Sequence, residues 1–171
     1  QRSATKLDVA FAEIGKRIAT TENITQNVSS FISSYISEIF LSVDFKKLPL
    51  ESVSKIINGF AFKSGDFTKN KGTKCIKITN VGLNRFVETD VEYLPSKFNE
   101  KYSEFSAKEG DIVFALTRTV IKGGLKVARV PQSYKGALLN QRVALLRTNE
   151  DKIYSRYLYF YLCSEMVKKY V

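Results

Sequence analysis

The sequence predicts an α+β fold: a compact, mostly antiparallel β-rich domain with a few helices, preceded by one long helix. Three observations carry this. Residues 1–41 keep a helical seven-residue beat without a proline; residues 42–171 break into short alternating apolar runs separated by Gly, Asn and Ser; and the charge divides at the same place. Residues 1–40 hold four basic and four acidic side chains, whereas the remainder holds 23 basic and 13 acidic ones, so the net charge of +10 lies entirely in the second part.

The first part opens with "TKLD" (Thr5–Asp8), which has the spacing of a capping box at a helix start. Two apolar rows follow, Leu7, Ile14, Thr21, Val28, Tyr35 and Phe11, Ile18, Thr25, Ile32, Ile39. Together they form an a/d seam, interrupted by one polar layer at Thr21 and Thr25. At 1.5 Å per residue the helix would be roughly 50 Å long. So narrow a seam needs a partner helix, from the same polypeptide or from a second copy; the alternative is a long amphipathic helix lying on the second domain. The expected interface is Leu7, Phe11, Ile14, Ile18, Val28, Ile32, Tyr35 and Ile39.

In the second part, "LPLESVSKII" reads as a short lead-in strand and "INGFAFKSGDF" as an aromatic, Gly-rich loop. "TKCIKIT" alternates as a strand and leads into "NVGLNRFVE". Pro95 can open a helix over "LPSKFNEKYSEF". "DIVFAL", "LKVARV" and "RVALLRT" read as strands, and the Tyr-rich end "IYSRYLYFYLCSEMVKKYV" as a helix. No run approaches eighteen apolar residues and no signal peptide is visible, so the chain reads as cytoplasmic. Cys75 and Cys163 stand alone in apolar surroundings and read as reduced packing residues.

Several chemistries are excluded by residue type. There is no histidine, hence no Ser-His-Asp or Cys-His machinery. Two cysteines 88 positions apart make no zinc site, and no phosphate loop of the G-x-x-x-x-G-K-[ST] kind occurs. "EDK" (Glu150–Lys152) has the acid-x-Lys spacing of some metal-dependent nucleases, with a solvated turn as the alternative. A basic globular half points to a polyanion, with nucleic acid the first candidate.

With these parts in view, the chain resembles the specificity (S) subunit of type I restriction–modification systems. "LDVAFAEIGKRIATTENITQNVSSFISSYISEIF" is similar to the family's conserved spacer helix, and "LPLESVSKIINGFAFKSGDFTKNKGTKCIKITNV" to the opening of its target recognition domains. "KEGDIVFALT" and "ALLNQRVALLR" match a Gly-Asp turn into a strand and an Asn-Gln strand start. One departure stands out: where the family often has Gly after the "T" of the hairpin, this chain has Arg118.

The resemblance implies one spacer helix (1–41) and one recognition domain (42–171), as in a C-terminal fragment or a half-sized subunit. It implies a non-catalytic reader of one half of a bipartite DNA target. Methyltransferase (M) subunits would bring S-adenosylmethionine and methylate an adenine; restriction (R) subunits would act with ATP and magnesium; this chain would bind none of these cofactors or any metal. A homodimer through the long helix is a further expectation. Rival readings are a self-contained metal-dependent nuclease and a coiled-coil interaction protein with no DNA role.

Candidate DNA contacts follow from side-chain chemistry. "GDIVFALTRTVIKGGLKVARV" places Thr117, Arg118, Thr119 and Lys122 on a hairpin loop, with Lys126 farther along; Arg can hold guanine O6 and N7 together. Gly123 and Gly124 are expected to let backbone approach DNA. Lys63 and Ser64 form a second patch, and Lys77, Thr79, Asn80 and Arg85 a third. Asn140, Gln141 and Arg142 can read adenine or guanine, although Asn140 can equally cap a turn. Phe60 and Phe62 read as core.

Overall fold

A computed structural model describes residues 2–42, 44, 46–121 and 124–167. Helix α1 spans Arg2–Leu41, and its 40 residues make it about 60 Å long. The expected start at Thr5–Asp8 is not a start, since the helix already runs at Arg2. Arg2, Ala4 and Lys6 are good helix formers with no breaker among them, so nothing stops the helix at the capping motif.

Beyond α1 come α2 (Leu50–Val53), β1 (Ser54–Asn58), β2 (Thr73–Ile76), β3 (Tyr93–Leu94), α3 (Phe98–Lys101) and β4 (Ile112–Ala115). Then follow β5 (Val120–Ile121), β6 (Gly124–Leu125), β7 (Val127–Arg129), β8 (Leu138–Leu139), β9 (Val143–Thr148) and α4 (Ser155–Cys163). The lead-in expected as strand is split. Pro49 opens one helical turn whose Ser52 and Ser54 hydroxyls return to the Pro49 and Leu50 carbonyls, and the strand begins only at Ser54. The strand expected over "LKVARV" is broken at Lys126, which pairs with Leu83 instead of continuing β6 into β7.

The principal sheet runs β1-β9-β4-β7, antiparallel throughout. Its period-two alternation gives two cores. Ile57, Val113, Ala128, Val143 and Leu145 point to one face, where they meet Ile76, Val81, Tyr134 and Leu139. Ile112, Val127 and Leu146 point to the other, where α4 covers them with Leu158 and Cys163. A smaller sheet, β3-β2-β8, contains a parallel pair, β2 with β8. Phe60 and Phe62 belong to an aromatic cluster with Phe67, Phe98 and Tyr102, as expected of core residues.

Both cysteines are free and buried, in different clusters. Burial pushes the Cys75 thiol up to about 12 and the Cys163 thiol up to about 11, which suits inert packing. No described helix is long and apolar enough to cross a membrane.

Helix α1 docks on α4 through Ser33, Ser37 and Phe40, all buried. At about 100° per residue this face lies roughly a third of a turn from the a/d seam. The seam is left outward, with Phe11 69%, Ile18 55% and Ile32 48% exposed. In the polar layer, the Thr21 and Thr25 hydroxyls donate to the Arg17 and Thr21 carbonyls at 2.9 and 2.8 Å. That leaves the threonine methyls as the apolar part of the layer.

Candidate nucleic-acid interface

Strand direction decides which loops meet. β1 ends at Asn58 opposite Ala144 and β4 ends at Ala115 opposite Val143, so both finish where β9 begins. β2 and β8 run parallel and finish together at Ile76 and Leu139. Main-chain bonds stitch the exits into one rim: Gly59 N–H to the Val143 carbonyl at 3.0 Å, Phe60 N–H to Leu139 at 2.9 Å, Asn140 N–H to Ile76 at 3.0 Å and Leu116 N–H to Arg142 at 2.9 Å. Gly59 is required there, because a Cβ would lie 2.0 Å from the Asn140 carbonyl oxygen. Loop 82–86 joins the rim through the Leu83–Lys126 bridge, and Lys126 N–H donates to the Thr119 carbonyl at 2.7 Å.

Four segments separated in sequence thus share one end of the domain. On them Lys63, Ser64, Thr79, Arg85, Thr117, Arg118, Gln141 and Arg142 are exposed. Lys122 and Gly123 lie outside the described residues. The rim therefore presents at least four exposed cations (Lys63, Arg85, Arg118, Arg142) beside amide and hydroxyl groups that hydrogen-bond to bases and phosphates.

Not every candidate is free to reach outward. Asn80 is 1% exposed; its Oδ1 accepts the Lys77 N–H at 2.8 Å and its Nδ2 donates to the Val87 carbonyl at 2.9 Å. It shapes the turn and cannot touch a base. Lys77 pairs with Glu92 at 2.7 Å and lies over the Phe67 ring. The Thr119 hydroxyl donates to the Ala115 carbonyl at 2.7 Å, bracing its own loop. Asn140 is half-buried and its carbonyl closes a turn with Val143 N–H; Lys126 is half-buried too, but its ammonium makes no ion pair among the described residues. Gly124 is buried with φ +141°, so the hairpin's backbone requires a glycine there and it offers no close approach for DNA.

Arg118 carries a signal that the sequence held only indirectly. Its φ is +52°, the left-handed region that L-residues with a Cβ avoid. A glycine-favouring conformation is thus occupied here by an exposed arginine. Arg118 lies in the bend between β4 and β5, ahead of the β5–β6 hairpin rather than on its turn, and strained backbone at an exposed residue is a recurrent feature of functional sites.

The acid-x-Lys stretch falls at the opposite end of the sheet. Glu150 accepts the Thr148 hydroxyl at 2.7 Å and Lys152 Nζ donates to the Ser52 carbonyl at 2.9 Å, so both brace a turn. Among the described residues no group of three His, Cys, Asp or Glu side chains is placed to hold a metal. Nearby, Asp111 accepts Arg147 Nη2 at 2.6 Å and Nε at 3.2 Å, while Nη2 also donates to the Ser106 carbonyl. This network fixes the end of the sheet away from the rim.

No family model matches this chain. Over 126 residues, 74% of this chain, it is 37% identical to the type I restriction enzyme MjaVIII specificity subunit of Methanocaldococcus jannaschii. Over 115 residues, 67% of this chain, it is 31% identical to the type I restriction enzyme EcoAI specificity subunit of Escherichia coli. The chain spans 29% and 19% of those two proteins' lengths. The fold is similar to that of a chain in a structure on complex assembly and conformational transition of the type I R-M system, with TM-score 0.56, 16% identity, and 94% of this chain and 39% of that one covered. It is also similar to the HsdS subunit of Thermoanaerobacter tengcongensis, with TM-score 0.51, 17% identity and coverages of 90% and 38%. Spacer-like helix, β-rich domain and sequence likeness agree, and the chain belongs to the specificity-subunit (HsdS-type) family of type I restriction–modification systems.

Proposed function

We propose that this chain is a non-catalytic DNA reader that recognises one half of a bipartite target through the rim of loops 59–67, 77–86, 116–121 and 140–142, with Lys126 beside them. The observation that carries the reading is the convergence of four exposed cations and several amide and hydroxyl side chains on one end of a basic domain. Arg118, Arg142 and Gln141 supply base readout; Lys63, Arg85 and Lys126 hold phosphates; and the buried Asn80, with Lys77 and Thr119, shapes the loops. In this reading α1 is the spacer. Its outward seam pairs with a second helix, from the rest of the subunit or from a second copy, and so sets the distance between half-sites. Methylation and restriction belong to partner M and R subunits, which bring S-adenosylmethionine, ATP and magnesium, and the assembly is cytoplasmic.

The test is a salt titration of binding to a random-sequence 20-base-pair duplex. On a random sequence Arg118 and Arg142 also fall back on phosphates, and the resulting four or five contacts give a slope of log affinity against log salt of about −4. A flat dependence from 50 to 200 mM salt removes DNA as the partner and favours a purely protein-binding role. Cleavage of DNA by the chain with magnesium alone would overturn the non-catalytic assignment.

A further inference from the structure

Helix α4 is held at two adjacent turns by two different parts of the chain. At its C-terminal turn, Ser33 Oγ donates to the Cys163 carbonyl at 3.0 Å and Glu165 N–H donates to Ser37 Oγ at 2.9 Å. Both serines are buried in α1, and Phe40 meets Tyr157 and Tyr161 edge-on at 5.2 and 5.3 Å. One turn earlier, Tyr159 Oη donates to the Asn84 carbonyl at 2.7 Å, across 75 residues of sequence.

The loop it grips is costly to hold in place. Asn84 has φ +52°, and its Oδ1 is buried without a hydrogen-bond partner among the described residues. Asparagine tolerates that backbone better than most residues, but the unpaired buried oxygen is an energetic cost that something outside the loop must offset. The adjacent residue is Arg85, exposed on the rim, and Leu83 on the other side pairs with Lys126. A rigid path therefore runs from Ser33 and Ser37 through one turn of α4 to Tyr159, Asn84 and the Arg85 loop.

We propose that α4 is a strut coupling the spacer helix to the DNA-facing rim, with Tyr159 as the positioning residue that orders loop 82–86 and Ser33 and Ser37 as the clamp that fixes the strut on α1. Seating of α1 then presets the loop that meets DNA, and the orientation of the reading rim is tied to the axis of the spacer. That the loop meets DNA rests on the function proposed above; the coupling itself does not.

The test separates the two. Amide hydrogen exchange is measured on the full chain for Tyr159→Phe, which removes only the hydroxyl, and for Ser33→Ala with Ser37→Ala. Exchange at residues 83–86 is expected to accelerate at least threefold in both, although the serines lie far from that loop in sequence. Acceleration confined to α1 and α4, or none in Tyr159→Phe, overturns the strut. A second arm measures affinity for a random-sequence 20-base-pair duplex at low salt. Tyr159→Phe and Arg85→Ala should each weaken it about three- to fivefold, with the double variant no weaker than Arg85→Ala alone. Additive losses overturn the positioning role, since Tyr159 would then act independently of Arg85. If exchange accelerates but Arg85→Ala binds like the parent, the strut stands and the placement of DNA at this loop falls.

Discussion

Arg118 offers the sharpest separation of backbone from side chain. A left-handed residue with a Cβ carries roughly 1–2 kcal/mol of strain, and Arg118 has φ +52° in the exposed bend between β4 and β5. Arg118→Ala keeps the Cβ and therefore the strain, so its stability should match the parent. Arg118→Gly releases the strain but gives back about 0.5–1 kcal/mol in unfolded-chain entropy. The net gain is about 0.5 kcal/mol, or roughly 1–2 °C in melting temperature for a chain of this size. Both variants lose the guanidinium fork. If it holds a guanine edge, each should forfeit about 1–3 kcal/mol of discrimination at one or two positions of the half-site. The assays are thermal unfolding and selection from a randomised duplex library. Lys126→Ala is the control, expected to weaken all sequences alike and to shallow the salt slope by about one unit. If Arg118→Ala and Arg118→Gly lower affinity uniformly with the preferred sequence unchanged, Arg118 only grips the backbone. If Arg118→Gly is less stable than Arg118→Ala, the strain argument fails.

Other expectations concern the frame around the rim. Ile18→Asp with Ile32→Asp places charges in the outward seam of α1 and should abolish self-association of the chain, read by light scattering; a monomeric parent chain would show that the seam does not pair two copies. Asp111→Asn breaks the ion pair with Arg147 at the opposite end of the sheet and should cost about 3 kcal/mol of stability, because the Asp111 side chain is only 6% exposed; a loss under about 1 kcal/mol in denaturant unfolding would refute this. Cys75 and Cys163 have folded values raised to about 12 and 11, so the stability they support is complete below about pH 9 and is lost as pH rises through the folded values. With no histidine in the chain, stability should be flat between pH 6 and 8, and a midpoint that moves in that window by denaturant titration would contradict the assignment.

The long helix and the strands of the principal sheet were legible because their signals are periodic. The seam from Leu7 to Ile39 repeats every seven residues, and "DIVFAL" and "RVALLRT" place alternate side chains in two cores. Local turns were less legible. Pro49 turned the head of an apparent strand into a helical turn, and Lys126 broke another by pairing with Leu83. The candidate residues were found by chemical type, which does not tell a reaching side chain from a bracing one. Asn80 has the chemistry to read adenine, yet its amide is consumed by Lys77 and Val87, a fact that depends on how loop 77–87 closes. The docking of α1 was hidden for a similar reason. Ser33 and Ser37 lie off the seam, and their value rests on the carbonyl and amide at the end of α4, more than 125 residues away. The arginine at position 118 was visible in the sequence, but the left-handed backbone that gives it meaning was not.

The claim that the rim reads one half of a two-part target is tested most directly by mapping methylated adenines in cells carrying the complete system. The map is made with the parent chain and with a variant carrying Arg118→Ala, Gln141→Ala and Arg142→Ala. The account predicts that one half of the methylated motif becomes degenerate, while the other half and the spacing between them stay the same. A motif unchanged in both halves, or one whose spacing shifts with the substitutions, would contradict it.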